Sequence, residues 1–345
     1  MAFLEFKNIR IAGVSAGVPK NKIETKTSSE DYSDAEYIRL TGIKEKRQSD
    51  VLTASDLCYE AAVRLLDDLE WKREEVDAIF FVSQFPDYIL PATAPILQER
   101  LGLTKECYAI DISLGCSGWV YGLSVAAGLL TNGSIKKGLL LAGDAKKIAH
   151  YTVDPLFGCA GTATALEYKE NSESLFFHMG TDGSGYDAII IPDGGARNRF
   201  TEKSLVPEIG EDGVMRHKLQ ARMKGMDVFA FAITTVPKSI KKLSKQNNID
   251  LPTVDYLLLH QANKMINEQI AKKLNFSKER LPSSLMNYGN TSSASIPLTM
   301  VTEIGKQLSL GERSLIACGF GVGLSWGTVY FKTNNMVVSN LVEVE

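Results

Sequence analysis

The chain has 345 residues, 44% hydrophobic and 23% charged, with a net charge of −3. That length allows a large core or more than one core-sized unit, and the balance excludes a disordered chain and offers no basic surface for nucleic acid. Five cysteines, an odd number without metal-type pairing, argue against a disulfide framework and a zinc site and point to a reducing cytoplasm, and no apolar run is long enough to span a bilayer.

The opening MAFLEFKNIRIAGVSAGVP is too charged for a signal peptide and reads as a first strand. Residues 55–69 carry apolar side chains at helical spacing, with Ser55 as the expected N-cap. VDAIFFVSQ and CYAIDIS read as buried strands, and SGWVYGLSVAAGLLTNG as a helix that stops at Asn132-Gly133. GLLLAGDA and ATALEY are further strands. The rhythm then repeats: a helix over 224–245, the buried strand VDYLLLHQA, the helix NKMINEQIAKKL, and a closing strand pair in SLIACGFGVGLSWGTVYF around a Gly-rich turn. VDAIFFVSQ and VDYLLLHQA resemble one another, which suggests a duplicated α/β unit. Between the halves, 192–218 is polar, charged and Gly-rich, and a loop of that length tends to be functional. The basic pairs Lys146-Lys147, Lys241-Lys242 and Lys272-Lys273 read as solvated helix faces.

Three places can carry chemistry. Cys116 lies where a strand passes through small residues into a helix, and a helix N-terminus favours the thiolate, which is the nucleophile. The alternative is a buried structural cysteine, as expected for Cys58, Cys107, Cys159 and Cys318. His260 follows a buried strand at its carboxyl end, where ligands bind in open α/β sheets; a satisfied core histidine is the competing reading. Asn263, just beyond it, reads equally as a helix cap. Asn290 stands before a cluster of small hydroxyl residues in GNTSSASIP, which reads otherwise as a loop capping a helix. Together a thiol, an imidazole and a carboxamide suit thioester chemistry, with the last two stabilising an enolate.

DISLGCSGWVYGLSVA, LLLHQAN, YGNTSSASIP and GFGVGLSWG, with TGIKEKR and GTDGSG, resemble the β-ketoacyl-acyl-carrier-protein synthase III family, in order and spacing from about Ile9 to Lys332. The resemblance implies an α/β thiolase fold: two pseudo-dyad-related βαβαβαββ halves in five layers, α-β-α-β-α. They would be residues 1–175 with Cys116, and 176–345 with His260 and Asn290. It implies a cytoplasmic homodimer that binds neither nucleic acid nor membrane and needs no metal or cofactor. Cys116 would take an acyl group from an acyl-CoA or acyl-carrier-protein donor. His260 and Asn290 would assist decarboxylative condensation with malonyl-carrier-protein. The backbone N–H groups of Cys116 and Val322 would form the oxyanion hole. Leu90, Met223, Asn263, Gly321 and Gly323 would line the substrate pocket, with Leu90 reaching it from the partner subunit. Alternatives within the fold are a non-decarboxylating condensing enzyme, an acyltransferase to another acceptor, or a non-catalytic partner subunit of a ketosynthase. Where the family has an arginine before TGI this chain has Leu40, and after HQAN it has Met265; Cys159 replaces a common aspartate, and the closing turn is GVG. The missing arginine at Leu40 leans away from tight CoA binding, and the departures together point as readily to a specialised acyl pathway as to primary fatty-acid synthesis.

Overall fold

The computed structural model describes residues 2–27, 33–145, 155–210 and 214–345. Lys146-Lys147 and part of the 192–218 excursion lie outside them. The first sheet runs β11/β12–β2–β6–β5–β3–β4. Its strands are β2 (Ile9–Pro19), β3 (Ala78–Val82), β4 (Tyr108–Ile112), β5 (Lys137–Asp144), β6 (Ala160–Tyr168), β11 (Val337–Val338) and β12 (Val342–Val344). The second runs β1–β7–β10–β9–β8, built from β1 (Ala2–Phe6), β7 (Leu175–Thr181), β8 (Tyr256–Leu259), β9 (Glu312–Gly321) and β10 (Ser325–Asn334).

Helices α3 (Gly118–Leu130) and α6 (Ser295–Ser309) fill the space between the sheets. That central layer joins Trp119, Leu123 and Met300 to Phe80 and Val82 of one sheet and to Leu315, Ala317 and Phe331 of the other. Alternate strand residues face outward, as a two-residue period requires. Ile79, Phe81, Leu139 and Leu141 pack on α1 (Ala54–Asp68) and α2 (Thr93–Arg100). Leu257, Leu259 and Ile316 pack on α4 (Gly225–Gln246) and α5 (Lys264–Leu274). Both faces of each sheet are covered, which is why AIFFV and YLLL read as unbroken apolar runs. These are the five expected layers. Among the described residues no helix is long and apolar enough to cross a membrane.

Three expectations need correction. The N-terminal strand is two strands: Asn8, at φ 62°, turns the chain, so β1 pairs with β7 of the second sheet while β2 opens the first. The tail after Asn334 crosses the other way, with β11 and β12 parallel to β2. The halves therefore do not divide cleanly into 1–175 and 176–345; each terminus supplies an edge strand to the other half. Within each half the order keeps close to the expected βαβαβαββ: the first runs through β2, β3, β4, β5 and β6, and the second through β7, β8, β9 and β10, with no strand between α5 and α6 among the described residues. Finally, Thr53 caps α1, accepting from Asp56 N at 3.2 Å while Asp56 Oδ2 accepts from Thr53 N at 2.9 Å; Ser55 instead donates to Asp87 Oδ2 at 2.7 Å.

Candidate active site

Cys116 occupies the turn between β4 and α3 and is 9% exposed. Gly118 N closes the turn onto Gly115 O at 2.7 Å. Ser117, at the N-cap of α3, makes no side-chain cap; its hydroxyl pairs with Ser325 Oγ at 2.7 Å. The helix N-terminus therefore opens toward the cysteine with its positive end. Ser325 Oγ also donates to Val322 O at 2.7 Å, so the Gly-rich turn holding Val322 is tied to the start of α3. Gly321, at φ 156°, lies against the thiol: a Cβ there would stand 2.6 Å from Cys116 Cβ and 3.0 Å from Sγ. The thiol-bearing turn and the β9–β10 turn thus meet face to face, with Gly323 one residue beyond Val322 in the latter.

His260 leaves the end of β8, its N–H bonded to Cys318 O at 2.9 Å, and is 2% exposed. Nδ1 pairs with Ser295 Oγ at 2.8 Å, and the ring meets Phe320 edge-on at 5.5 Å. Burial pushes the imidazole pKa down to about 3, opposed by a hydrogen bond to the Ser292 backbone carbonyl. The ring is neutral at any physiological pH. Asn290 is 5% exposed; its Nδ2 reaches Ala262 O at 3.4 Å and its Oδ1 accepts from Ser292 N at 2.9 Å.

Ser292 draws the three together. Its Oγ stands 3.9 Å from Cys116 Sγ, its N–H serves Asn290, and its carbonyl faces the His260 ring. It does so at φ 51°, a left-handed conformation that costs a residue with a side chain about 1–2 kcal/mol. The small hydroxyl run in GNTSSASIP was the visible trace of this turn; that Ser292, Ser295, Ser117 and Ser325 would be the bridging members was not visible, because they meet only across the fold.

The other expected residues divide. Gly321 and Val322 belong to the cluster. Asn263 is the N-cap of α5, its Oδ1 accepting from Ile266 N at 2.8 Å, so its side chain is committed to the helix. Met223, 40% exposed, pairs with Ile189 at the base of the 192–218 excursion. Leu90 is 85% exposed and its neighbour Ile89 fully so, on a loop pointing away from this chain's own core. Gln84, not foreseen, lays its carboxamide oxygen against Gly115. Cys58, Cys159 and Cys318 are buried as expected, with the Cys318 pKa pushed up to about 12 by burial; Cys107 is only half-buried.

Residues 110–183 match the profile of 3-oxoacyl-[acyl-carrier-protein (ACP)] synthase III, and residues 244–333 match its C-terminal part. The chain is 33% identical to the β-ketoacyl-[acyl-carrier-protein] synthase III of Rhodopirellula baltica, over 94% of this chain and 99% of that one. It is 32% identical to the Streptococcus mutans enzyme of the same name, over 88% and 91%. Among solved structures, a 3-oxoacyl-(acyl-carrier protein) synthase from Burkholderia xenovorans superposes with a TM-score of 0.91 at 33% identity, covering 99% of both chains. The synthase III of Pseudomonas aeruginosa superposes at 0.80 with 26% identity, covering 96% of this chain and 100% of that one.

Proposed function

The chain belongs to the 3-oxoacyl-[acyl-carrier-protein] synthase III family of condensing acyltransferases, and from that premise we propose that Cys116, His260 and Asn290 perform a two-step decarboxylative condensation. The observation that carries this reading is the convergence of all three on Ser292. In the first step the Cys116 thiolate attacks an acyl thioester and expels the donor's thiolate, leaving an acyl-enzyme. The N–H groups of Cys116 and Val322 hold the oxyanion.

In the second step a malonyl thioester loses carbon dioxide. The electron pair of the broken C–C bond passes into an enolate whose oxygen accepts hydrogen bonds from His260 and Asn290. The enolate carbon then attacks the acyl carbonyl and releases the Cys116 thiolate. A Ser295 hydroxyl that donates to Nδ1 keeps the imidazole proton on Nε2, where it serves as the donor. The electrons come from the malonyl group itself, so the chemistry calls for no metal or redox cofactor.

A non-decarboxylating variant needs a carboxylate base beside the thiol. The group lying against Gly115 is the Gln84 amide, and the nearby Asp87 carboxylate accepts from Ser55. This favours decarboxylation. The malonyl donor is carrier-linked in this reading, and Leu40, in place of an arginine, favours a carrier-linked starter as well. A homodimer is supported by the edge strand β4, which among the described residues pairs with β3 alone, and by the exposed Tyr88, Ile89 and Leu90. Leu90 would enter the partner's acyl pocket.

The test is intact-protein mass spectrometry with a panel of acyl-CoA and acyl-carrier thioesters, followed by carbon dioxide release from malonyl-carrier protein. One acyl adduct, lost in Cys116→Ala, is expected. An adduct that survives that substitution, or no carbon dioxide from an acylated wild type, would sink the reading.

A further inference from the structure

Asp144, the last residue of β5, is a carboxylate only 2% exposed. Its Oδ1 accepts from Ser83 Oγ and Gln84 N, both at 3.0 Å, and its Oδ2 accepts from Ser293 Oγ at 2.9 Å and Ser293 N at 3.2 Å. Four donors thus meet one buried carboxylate, which a charge needs in order to stay inside a protein. Two of them come from the segment after β3, and two from the turn that carries Asn290.

The Ser293 N–H and the Ser292 carbonyl belong to the same peptide unit. One end of that rigid plane donates to Asp144; the other faces the His260 ring. The preceding N–H, of Ser292, fixes Asn290 Oδ1. Ser292 reaches this geometry only in a left-handed conformation that the chain does not favour. Something must hold it there, and the carboxylate holds the residue immediately after it by both backbone and side chain.

We propose that Asp144 is a positioning residue: through the 292–293 peptide it sets the orientation of His260 and Asn290 for the malonyl half-reaction. The inference rests on the reading of His260 and Asn290 given above. Its arms are distinct: the Ser83 side serves the ends of β3 and β5, and the Ser293 side serves the reacting groups.

The experiment compares Asp144→Asn, Ser293→Ala and Ser83→Ala with wild type in two half-reactions. Single-turnover acylation of Cys116 is followed by mass, and carbon dioxide release from malonyl-carrier protein is followed separately. In Asp144→Asn, decarboxylation should fall about 10- to 100-fold, as misplacement by up to about an ångström does, while acylation changes less than about threefold. Ser293→Ala should give a smaller loss with the same bias, and serves if Asp144→Asn folds poorly. Ser83→Ala should leave the ratio of the two rates unchanged. Hydrogen exchange gives a readout independent of substrate: the peptide spanning 289–295 should exchange faster in Asp144→Asn than in wild type or Ser83→Ala. Equal losses in both half-reactions, a Ser83→Ala ratio that moves like that of Asp144→Asn, or unchanged exchange over 289–295 would each overturn the proposal. A wild type that acylates but releases no carbon dioxide would instead sink the condensation reading, with the exchange experiment still deciding whether Asp144 holds the turn.

Discussion

The thiol of Cys116 has a hydrogen atom for a neighbour where any other residue than Gly321 would put a methyl group. At φ 156° and 2.6 Å from Cys116 Cβ, an alanine there is both strained and in collision. Gly321→Ala should leave a folded protein whose Cys116 acylates about 10- to 100-fold more slowly, measured by the same mass assay; an unchanged rate would mean that the two turns do not confine the thiol. His260 makes a second residue-scale point. An exposed imidazole would gain a proton near pH 6.5 and lose its acceptor lone pair to Ser295. Buried and held at about 3, this ring stays neutral through that range. Carbon dioxide release should therefore show no inflection near pH 6.5 that disappears in His260→Gln.

At the scale of elements, the tail is the feature with most to test. Arg47, 4% exposed, donates to Pro19 O at 3.0 Å, Lys20 O at 3.3 Å and Glu343 Oε1 at 2.7 Å. It therefore fastens β12 to the end of β2. Leu341 and Val344 each pack against a buried cluster. The strand also covers an edge that would otherwise expose unpaired N–H and C=O groups. Removing residues 340–345 forfeits about 2 kcal/mol, from two or three half-buried apolar side chains. A melting temperature lower by a few degrees is expected in calorimetry, with Cys116 acylation intact; a wild-type melting temperature would mean that the tail is only laid on the surface.

Among the described residues, burial lowers the pKa of two histidines. His260 is one; His178 is the other, its pKa lowered first by burial and then by Lys242, with Nδ1 on Ser239 Oγ at 2.7 Å. Below about pH 6.5 the unfolded chain takes up protons that the folded rings refuse. The stability they contribute is therefore complete above that pH and is lost as pH falls toward the folded values. For His260 the loss is at most about 1.4 kcal/mol per unit between 6.5 and its folded value of about 3. Urea denaturation at pH 7 and pH 5 should show the decline, and His178→Asn should flatten it; the same slope in that variant would remove His178 from the account. At the same scale, in the homodimer proposed above Leu90→Glu should shift sedimentation toward monomer, because the exposed 88–90 segment is its proposed mating surface; unchanged sedimentation would remove that segment from the interface.

Much of this was legible along the chain. The thiol between small residues, HQAN after a buried strand, and GNTSSASIP are local patterns, since a helix start, a strand end and a tight turn each depend on a few neighbouring residues. The five layers were implied by the family resemblance, and the unbroken apolar runs agree with sheets covered on both faces. What could not be read were relations between distant segments. MAFLEFKNIRIAGVSAGVP has one apolar rhythm, yet Asn8 sends its two parts into different sheets, because edge pairing is chosen by which strand lies free in space. Asn263 follows HQA as closely as a catalytic residue would, but the helix beyond it claims its side chain. Asp144 and Ser293 are 149 residues apart in sequence and share two hydrogen bonds. A buried carboxylate finds its donors only when the core closes around it, so the groups that react were written in short motifs and the groups that hold them were fixed by packing.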